Sequence, residues 1–344
     1  MNIRFLYLGQ LRTAAQTSGD TIQLNEPTTL AAALSELARQ QPKLRTLLLR
    51  EEDGQPRPSL LIFEQETRLY LDDMLTRETE VTLMTPIGGG SGTLSEAERA
   101  RYEWQMWTPG FGEQGQLRLK QATVLISRLG GVGGAAAQQL AMAGVGRLIL
   151  AHAGVVRPSD LNRQVLMTTQ GIGQLRVHRA RLALSALNPE VELVSLAENL
   201  SQANAEAWVS QADVVVSAAP RFAERFAMQH AAAKLGKPLV DAAMYDFTGQ
   251  VLTVKPGRSA CLGCLYPEEP PHWKREFPVF GAVAATVGAL AAIEVIKLLA
   301  GLGEPLFDRL LLFDFATMSS RRIPVRRDAA CRLCGSFGPS KPGC

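Results

Sequence analysis

A chain of 344 residues, 46% hydrophobic and 20% charged, carries enough apolar material for two packed domains. Its formal net charge of +3 is too small to point to nucleic acid or a membrane surface as partner. Five cysteines, four of them in CxxC pairs, suit a reducing compartment and a metal better than a disulfide framework. The opening MNIRFLYLGQLRT has no signal-peptide core, so the expectation is a cytoplasmic protein.

Asn2–Leu8 alternates as a strand should, and Thr21–Leu24 gives a second strand. Thr28 and Thr29 offer caps for a helix over Leu30–Gln41, with Leu30, Leu34 and Leu37 on one face. Ser59–Phe63 and Glu80–Thr85 supply two more strands, and the segment closes on Pro86-Ile87-Gly88-Gly89-Gly90. A short helix is predicted over Leu94–Tyr102.

The stretch Ala122–Ala151 then organises the chain: an apolar strand (ATVLIS), clustered glycines (RLGGVGG), an alanine-rich helix, and a second strand (RLILA). This is half of a βαβ nucleotide-binding unit, in which small residues let phosphates approach N–H groups at a helix N-terminus. Alternation continues through Val191–Leu196, Ala212–Ser217 and Pro238–Asp241, with Gly249–Val254 and Leu310–Phe313 later. The prediction is a mostly parallel α/β sheet with a late antiparallel part. Val279–Ile293 is nearly all apolar, but its uncharged run falls short of the roughly 20 residues a bilayer needs. A buried helix over Phe280–Leu299 is expected instead.

Cys261-Leu-Gly-Cys264 and Cys331-Arg-Leu-Cys334 can point four thiolates at one tetrahedral zinc ion with no open position, a structural site. A redox pair or chance placement is the plain alternative. Cys344 falls in a Lys-Pro-Gly-Cys tail and is not expected to be a ligand.

Residues 1–90, by their ββαββ order, Gly-Gln-Leu-Arg turn and Gly-Gly-Gly end, resemble the ubiquitin-like β-grasp sulfur carriers of molybdopterin and thiamin synthesis (MoaD/ThiS-like). In that family the terminal glycine carboxylate is adenylated and converted to a thiocarboxylate, which would make Gly89 and Gly90 a carrier tail. A flexible linker reads equally well from the glycines. Here Gly90 continues into Ser91, so carrier chemistry would need cleavage after Gly90.

Residues 95–338 resemble the ubiquitin-activating-like adenylyltransferases (MoeB/ThiF/HesA family), with 91–94 as linker and 339–344 as tail. The resemblance implies a Rossmann-like domain with a structural zinc, a homodimer, and ATP with Mg²⁺. Carried over residue by residue, the nucleotide site would be Gly130, Gly131, Gly133, Asn162, Arg163, Gln164 and Arg176.

Five positions depart from the pattern. Arg128 stands where the first loop glycine belongs, and His152 follows the second strand where the ribose-binding Asp belongs. Pro220-Arg221 occupies the neighbourhood of the Mg²⁺-binding Asp, Trp104 replaces an arginine that reaches the partner subunit, and Arg176 replaces a lysine. The crossover segment Lys274–Ala282 contains no cysteine. The expectation is therefore a non-catalytic member of the family, with no catalytic residue assigned. It would bind another ubiquitin-like carrier, a sulfurtransferase or an active activating enzyme. A working adenylyltransferase is the alternative, and a dinucleotide oxidoreductase, suggested by the glycine loop alone, is third.

Overall fold

The computed structural model describes residues 1–8, 10–24, 26–50, 53–57, 60–65, 67–84, 93–270 and 276–335. The chain divides into two compact units, Met1–Gly88 and Gly89–Cys344.

In the first unit β1 (Asn2–Leu8) leads through α1 (Gln10–Ala15) to β2 (Gly19–Gln23) and β3 (Thr28–Thr29). Then come α2 (Leu30–Gln40), α3 (Arg45–Leu48), β4 (Leu61–Glu64), β5 (Thr67–Leu69), β6 (Met74–Leu75) and β7 (Thr79–Met84). The sheet order is β2-β1-β7-β4-β5, with β1 and β7 parallel at its centre and the remaining pairs antiparallel. Alternation in β1 buries Ile3, Phe5 and Tyr7, which pack with Leu30, Leu34 and Leu37 of α2. The Thr29 side chain caps α2 by accepting from the Ala32 N–H. Tyr7 donates its hydroxyl to Asp20 at 2.8 Å, and burial with that carboxylate raises its pKa.

The second unit opens with α4 (Glu96–Met106) behind a Ser95/Glu98 capping box, then α5 (Gly112–Gln121). β8 (Thr123–Ser127), α6 (Gly131–Met142) and β9 (Arg147–Ala151) follow the predicted strand–helix–strand. The chain continues through α7 (Arg176–Leu187), β10 (Glu192–Leu196), α8 (Ala205–Val209), β11 (Val214–Ser217), α9 (Phe222–Lys234), β12 (Leu239–Tyr245) and β13 (Thr248–Val254). It ends in α10 (Leu262–Leu265), α11 (Gly281–Ala300), β14 (Arg309–Asp314) and β15 (Ser319–Pro324). Eight strands form one sheet in the order β10-β9-β8-β11-β12-β13-β14-β15, parallel from β10 to β12 and antiparallel thereafter.

α11 is long and apolar enough to span a bilayer, with a mean hydropathy of 2.0. It is a core helix: Val283, Ala284, Val287 and Ala291 pack into the same cluster as the α6 alanines. Gly288 allows the close approach, since a Cβ there would lie 2.3 Å from the Val132 carbonyl oxygen. Buried Glu294 accepts from Thr253 Oγ1 at 2.6 Å and the Leu306 N–H at 2.8 Å, a polar tie inside α11 that a lipid-facing helix would not carry. Phe280 and Ile293 remain exposed beside it.

Candidate functional site

The chain leaves β8 towards β9 and β10 on one side and returns to β11 on the other. The carboxyl ends of β8 and β11 therefore flank a topological switch point, where open α/β sheets hold ligands. A pocket opens there, lined by the turn after β8, His152 after β9, Ala218–Pro220 after β11, and Met244 of β12.

Arg128 sits directly after β8 with φ +62°, the left-handed conformation that a glycine would adopt without penalty. A non-glycine residue there costs about 1–2 kcal/mol. Its side chain turns to α9 and forms a two-pronged ion pair with Glu224, at 2.7 and 2.9 Å. Arg128 therefore keeps the loop shape and spends its charge on Glu224, both largely buried. Gly131 and Gly133 are required by packing: a Cβ would fall 2.6 Å from Ala284 Cβ and 2.2 Å from the Arg128 carbonyl oxygen, respectively. Gly130, the α6 N-cap, lines the pocket with nothing near its missing Cβ.

Asp160 is the hub of the opposite wall. It is 3% exposed and accepts from Arg176 at 2.7 and 3.1 Å, from Gln164 Nε2 at 2.8 Å and from the Arg157 N–H at 2.9 Å. Burial pushes its pKa up, but the Arg157 N–H and the Arg176 guanidinium outweigh that and hold it below the ordinary value of 3.8. Arg176 is thereby committed to a carboxylate. Arg163 is held more loosely, 3.5 Å from Asp160, while donating to Asn162 Oδ1 at 3.0 Å and to the Ser159 carbonyl.

Five of the seven predicted nucleotide residues line the pocket: Gly130, Gly131, Arg163, Gln164 and Arg176. Gly133 acts behind the loop through packing, and Asn162 holds Arg163. Pro220 lines the pocket, whereas Arg221 is exposed at the start of α9. Trp104 is 79% exposed and stacked on Trp107, with ring centroids 6.1 Å apart. Gly88–Gly90, Lys274 and Cys344 lie outside the described residues.

Sequence reasoning missed a third guanidinium–carboxylate pair. Arg225 is 3% exposed, lines the pocket, and grips the fully buried Asp241 at 2.9 and 2.5 Å. Ser217 donates to the same carboxylate at 2.9 Å, and the guanidinium lies 4.5 Å over the Phe222 ring. The signal was present: a lone aspartate in the apolar strand LVDAAMY needs a partner.

The cysteine quartet forms a second, separate centre. Cys261 and Cys264 frame the start of α10, and Cys331 and Cys334 follow β15. The four sulfurs lie within 4.8 Å of one another, with separations of 3.6, 3.6 and 3.9 Å for three pairs. All four are free thiols, and a tetrahedral zinc with Zn–S of about 2.3 Å requires sulfurs about 3.8 Å apart. The donor set and spacing fit zinc. Asp328 N–H donates to Cys264 Sγ at 3.4 Å, an outer contact of the kind that orients thiolate ligands.

The model of the ThiF family matches residues 102–333, from α4 to the second CxxC pair. The chain belongs to the ThiF family. Over 246 residues it is 42% identical to the heterocyst protein HesA of Trichormus variabilis, covering 72% of this chain and 92% of that protein. It is 40% identical over 250 residues to the sulfur carrier protein adenylyltransferase of Thermus thermophilus, covering 70% and 92%. Among solved structures, Escherichia coli MccB with ATP superposes with a TM-score of 0.62 at 22% identity, covering 71% of this chain and 77% of that one. That likeness concerns the fold, and it confirms the Rossmann-like reading of the ThiF domain.

Proposed function

We propose that this protein is a ubiquitin-like carrier unit joined to a ThiF-family unit that binds components of a sulfur-transfer pathway without adenylating them. One observation carries the reading. The carboxylates at and behind the pocket, Asp160, Glu224 and Asp241, are each matched to a guanidinium, from Arg176, Arg128 and Arg225. Asp160 is the one carboxylate among the described pocket-lining residues. Magnesium needs oxygen ligands free to coordinate it, and the positions expected to supply acids carry His152 and Pro220. The scaffold is retained while its metal chemistry is not.

The carrier assignment for the first unit is supported by the β2-β1-β7-β4-β5 order and by α2 packed on that sheet. The sulfur-pathway assignment is supported by 40% identity to a sulfur carrier protein adenylyltransferase. Cys261, Cys264, Cys331 and Cys334 hold one structural zinc that ties the segment after β15 to the start of α10. The protein works as a homodimer, for which Phe280 and Ile293 provide exposed apolar side chains along α11. Its partners are a second ubiquitin-like carrier, a sulfurtransferase or an active activating enzyme.

A second reading, a working adenylyltransferase acting on a carrier ending in Gly-Gly, is favoured by the pocket-facing Gly130, Gly131 and Arg163. Intact-mass measurement of a free carrier after incubation with ATP, Mg²⁺ and this protein separates the two. The proposal expects an unmodified carrier; a carrier–adenylate adduct would establish the second reading.

A further inference from the structure

A second cavity lies away from the switch-point pocket and shares no lining residue with it. Its volume of about 390 Å³ exceeds the 160 Å³ of that pocket and falls among those of small-molecule sites, roughly 300–1,000 Å³. α8, α9 and the second CxxC turn border it. Ala205 and Ala231 are buried at its floor, and Phe226 and Leu333 supply apolar walls. Ala223 and Ala227 stand one turn apart on α9, and their small side chains leave the space between the elements open.

The charges around the cavity select the head group of its ligand. Glu206 is already matched, since Lys234 Nζ donates to both of its oxygens at 2.8 Å. Arg332 has no carboxylate within ion-pair distance among the described residues, and its guanidinium lies 4.9 Å over the Phe226 ring. The cation thus stands against an apolar wall with its charge unmatched. Its backbone is held between Cys331 and Cys334, whose sulfurs lie 3.6 Å from those of Cys261 and Cys264, so the turn that presents it is set before a ligand arrives. Gln202 and His230 add polar groups at the exposed rim. One guanidinium offers two parallel N–H donors and a single charge, which a carboxylate matches. A phosphate monoester, at about −1.5 to −2, would leave negative charge unbalanced beside Glu206. The body of the ligand is set by length: α9 rises about 12 Å from Ala223 to Ala231, a span that an extended alkyl chain can follow.

We propose that this cavity binds a medium-chain aliphatic carboxylate, with its head group on Arg332 and its chain over Ala227 along α9. The ligand covers the apolar walls and the unmatched cation together, and it ties α9 to the turn that carries the second CxxC pair. The inference is independent of what the switch-point pocket binds or catalyses.

Calorimetry on the full chain tests the inference with octanoate, butanoate and 1-octanol. Octanoate is expected to bind at least tenfold more tightly than butanoate, because it buries more methylene groups. It is expected to bind about tenfold more tightly than 1-octanol, which lacks the charge. Arg332→Gln should bind octanoate and 1-octanol alike. Ala227→Leu fills the cavity from a half-buried position and should weaken octanoate at least tenfold without lowering the melting temperature. No octanoate binding, or binding no tighter than that of butanoate, would overturn the proposal. Equal affinity of the unmodified protein for octanoate and 1-octanol would overturn it without recourse to a variant. Octanoate binding untouched by Ala227→Leu would place the ligand elsewhere and overturn it as well. Deletion of residues 336–344 is expected to leave the affinity unchanged, and a tenfold gain would assign the cavity to that segment instead.

Discussion

The cysteine quartet and the switch-point pocket belong to one unit of the chain, yet they keep different things. The quartet is set by geometry: two short spacings bring four sulfurs within 4.8 Å of one another, an arrangement that fits a tetrahedral zinc. The pocket keeps its shape: Gly131 and Gly133 fit spaces where no side chain would go, and Arg128 holds a left-handed turn. Its charges form three internal pairs. A ligand set is defined by the separations of its donor atoms, whereas a cleft is defined by packing and by charges that can pair among themselves.

The largest expected effect probes the quartet. Cys264→Ser should lower the unfolding free energy by about 4 kcal/mol and reduce bound zinc from one per chain to well below that, as read by thermal melting and metal analysis. Unchanged stability with no metal bound would remove zinc from the comparison.

Next comes the most buried pair of the pocket. Asp241→Asn leaves the Arg225 guanidinium buried without its counter-charge and should cost about 3 kcal/mol. A double replacement, Arg225→Met with Asp241→Leu, should recover most of that loss in a denaturant titration. If the single variant is as stable as the parent, the pair is not part of the scaffold.

Arg128→Gly tests whether loop shape and charge pairing are separable. It relieves the left-handed strain but leaves Glu224 buried and unpaired, for a net loss of about 1 kcal/mol. Adding Glu224→Gln should bring stability back to within about 1 kcal/mol of the parent. A large loss in the double variant would mean that Arg128 does more than match Glu224.

The smallest effect is one of pH. Asp160 has its folded-state pKa lowered by the Arg157 N–H and Arg176 against the opposing effect of burial. Its contribution is therefore fully present above the unfolded value, near 3.8, and is lost as pH falls below about 4 through the folded value. Melting temperature should be indifferent to Asp160 protonation between pH 7 and 5 and fall below pH 4. In Asp160→Asn that acid limb should be shallower, and an identical limb would assign it to other carboxylates.

The contrast between the two centres also explains what could be read from the chain. CxxC spacing, the glycine loop and the alternation of β1 are local, and each could be recognised within a few residues. The four sulfurs cluster within 4.8 Å, and the loop glycines lie at the turn from β8 into α6. The Arg128–Glu224 pair spans 96 residues, and the Arg225–Asp241 and Arg176–Asp160 pairs span 16 each. No periodicity links such partners, so a reading by composition leaves the arginines as free cations. β15 was missed for another reason: Ser319–Pro324 is exposed at every position, so no apolar alternation marks it. Its strand character comes from pairing with β14 alone. The helix predicted over Leu94–Tyr102 stops short of the end of α4 at Met106, because exposed Glu103 and Trp104 interrupt any apolar pattern that a sequence reading would register.

We propose that this ThiF-family scaffold binds without adenylating. ATP–pyrophosphate exchange, with Mg²⁺ and a free carrier ending in Gly-Gly, addresses it most directly. Adenylation requires the α-phosphate aligned with the tail carboxylate while a metal draws charge onto pyrophosphate, and the carboxylates at and behind the pocket are already paired with arginines. Exchange is expected to be no faster than the background without protein. Exchange above that background, abolished by Arg163→Ala, would contradict it and show that this pocket turns over ATP with a rebuilt set of residues.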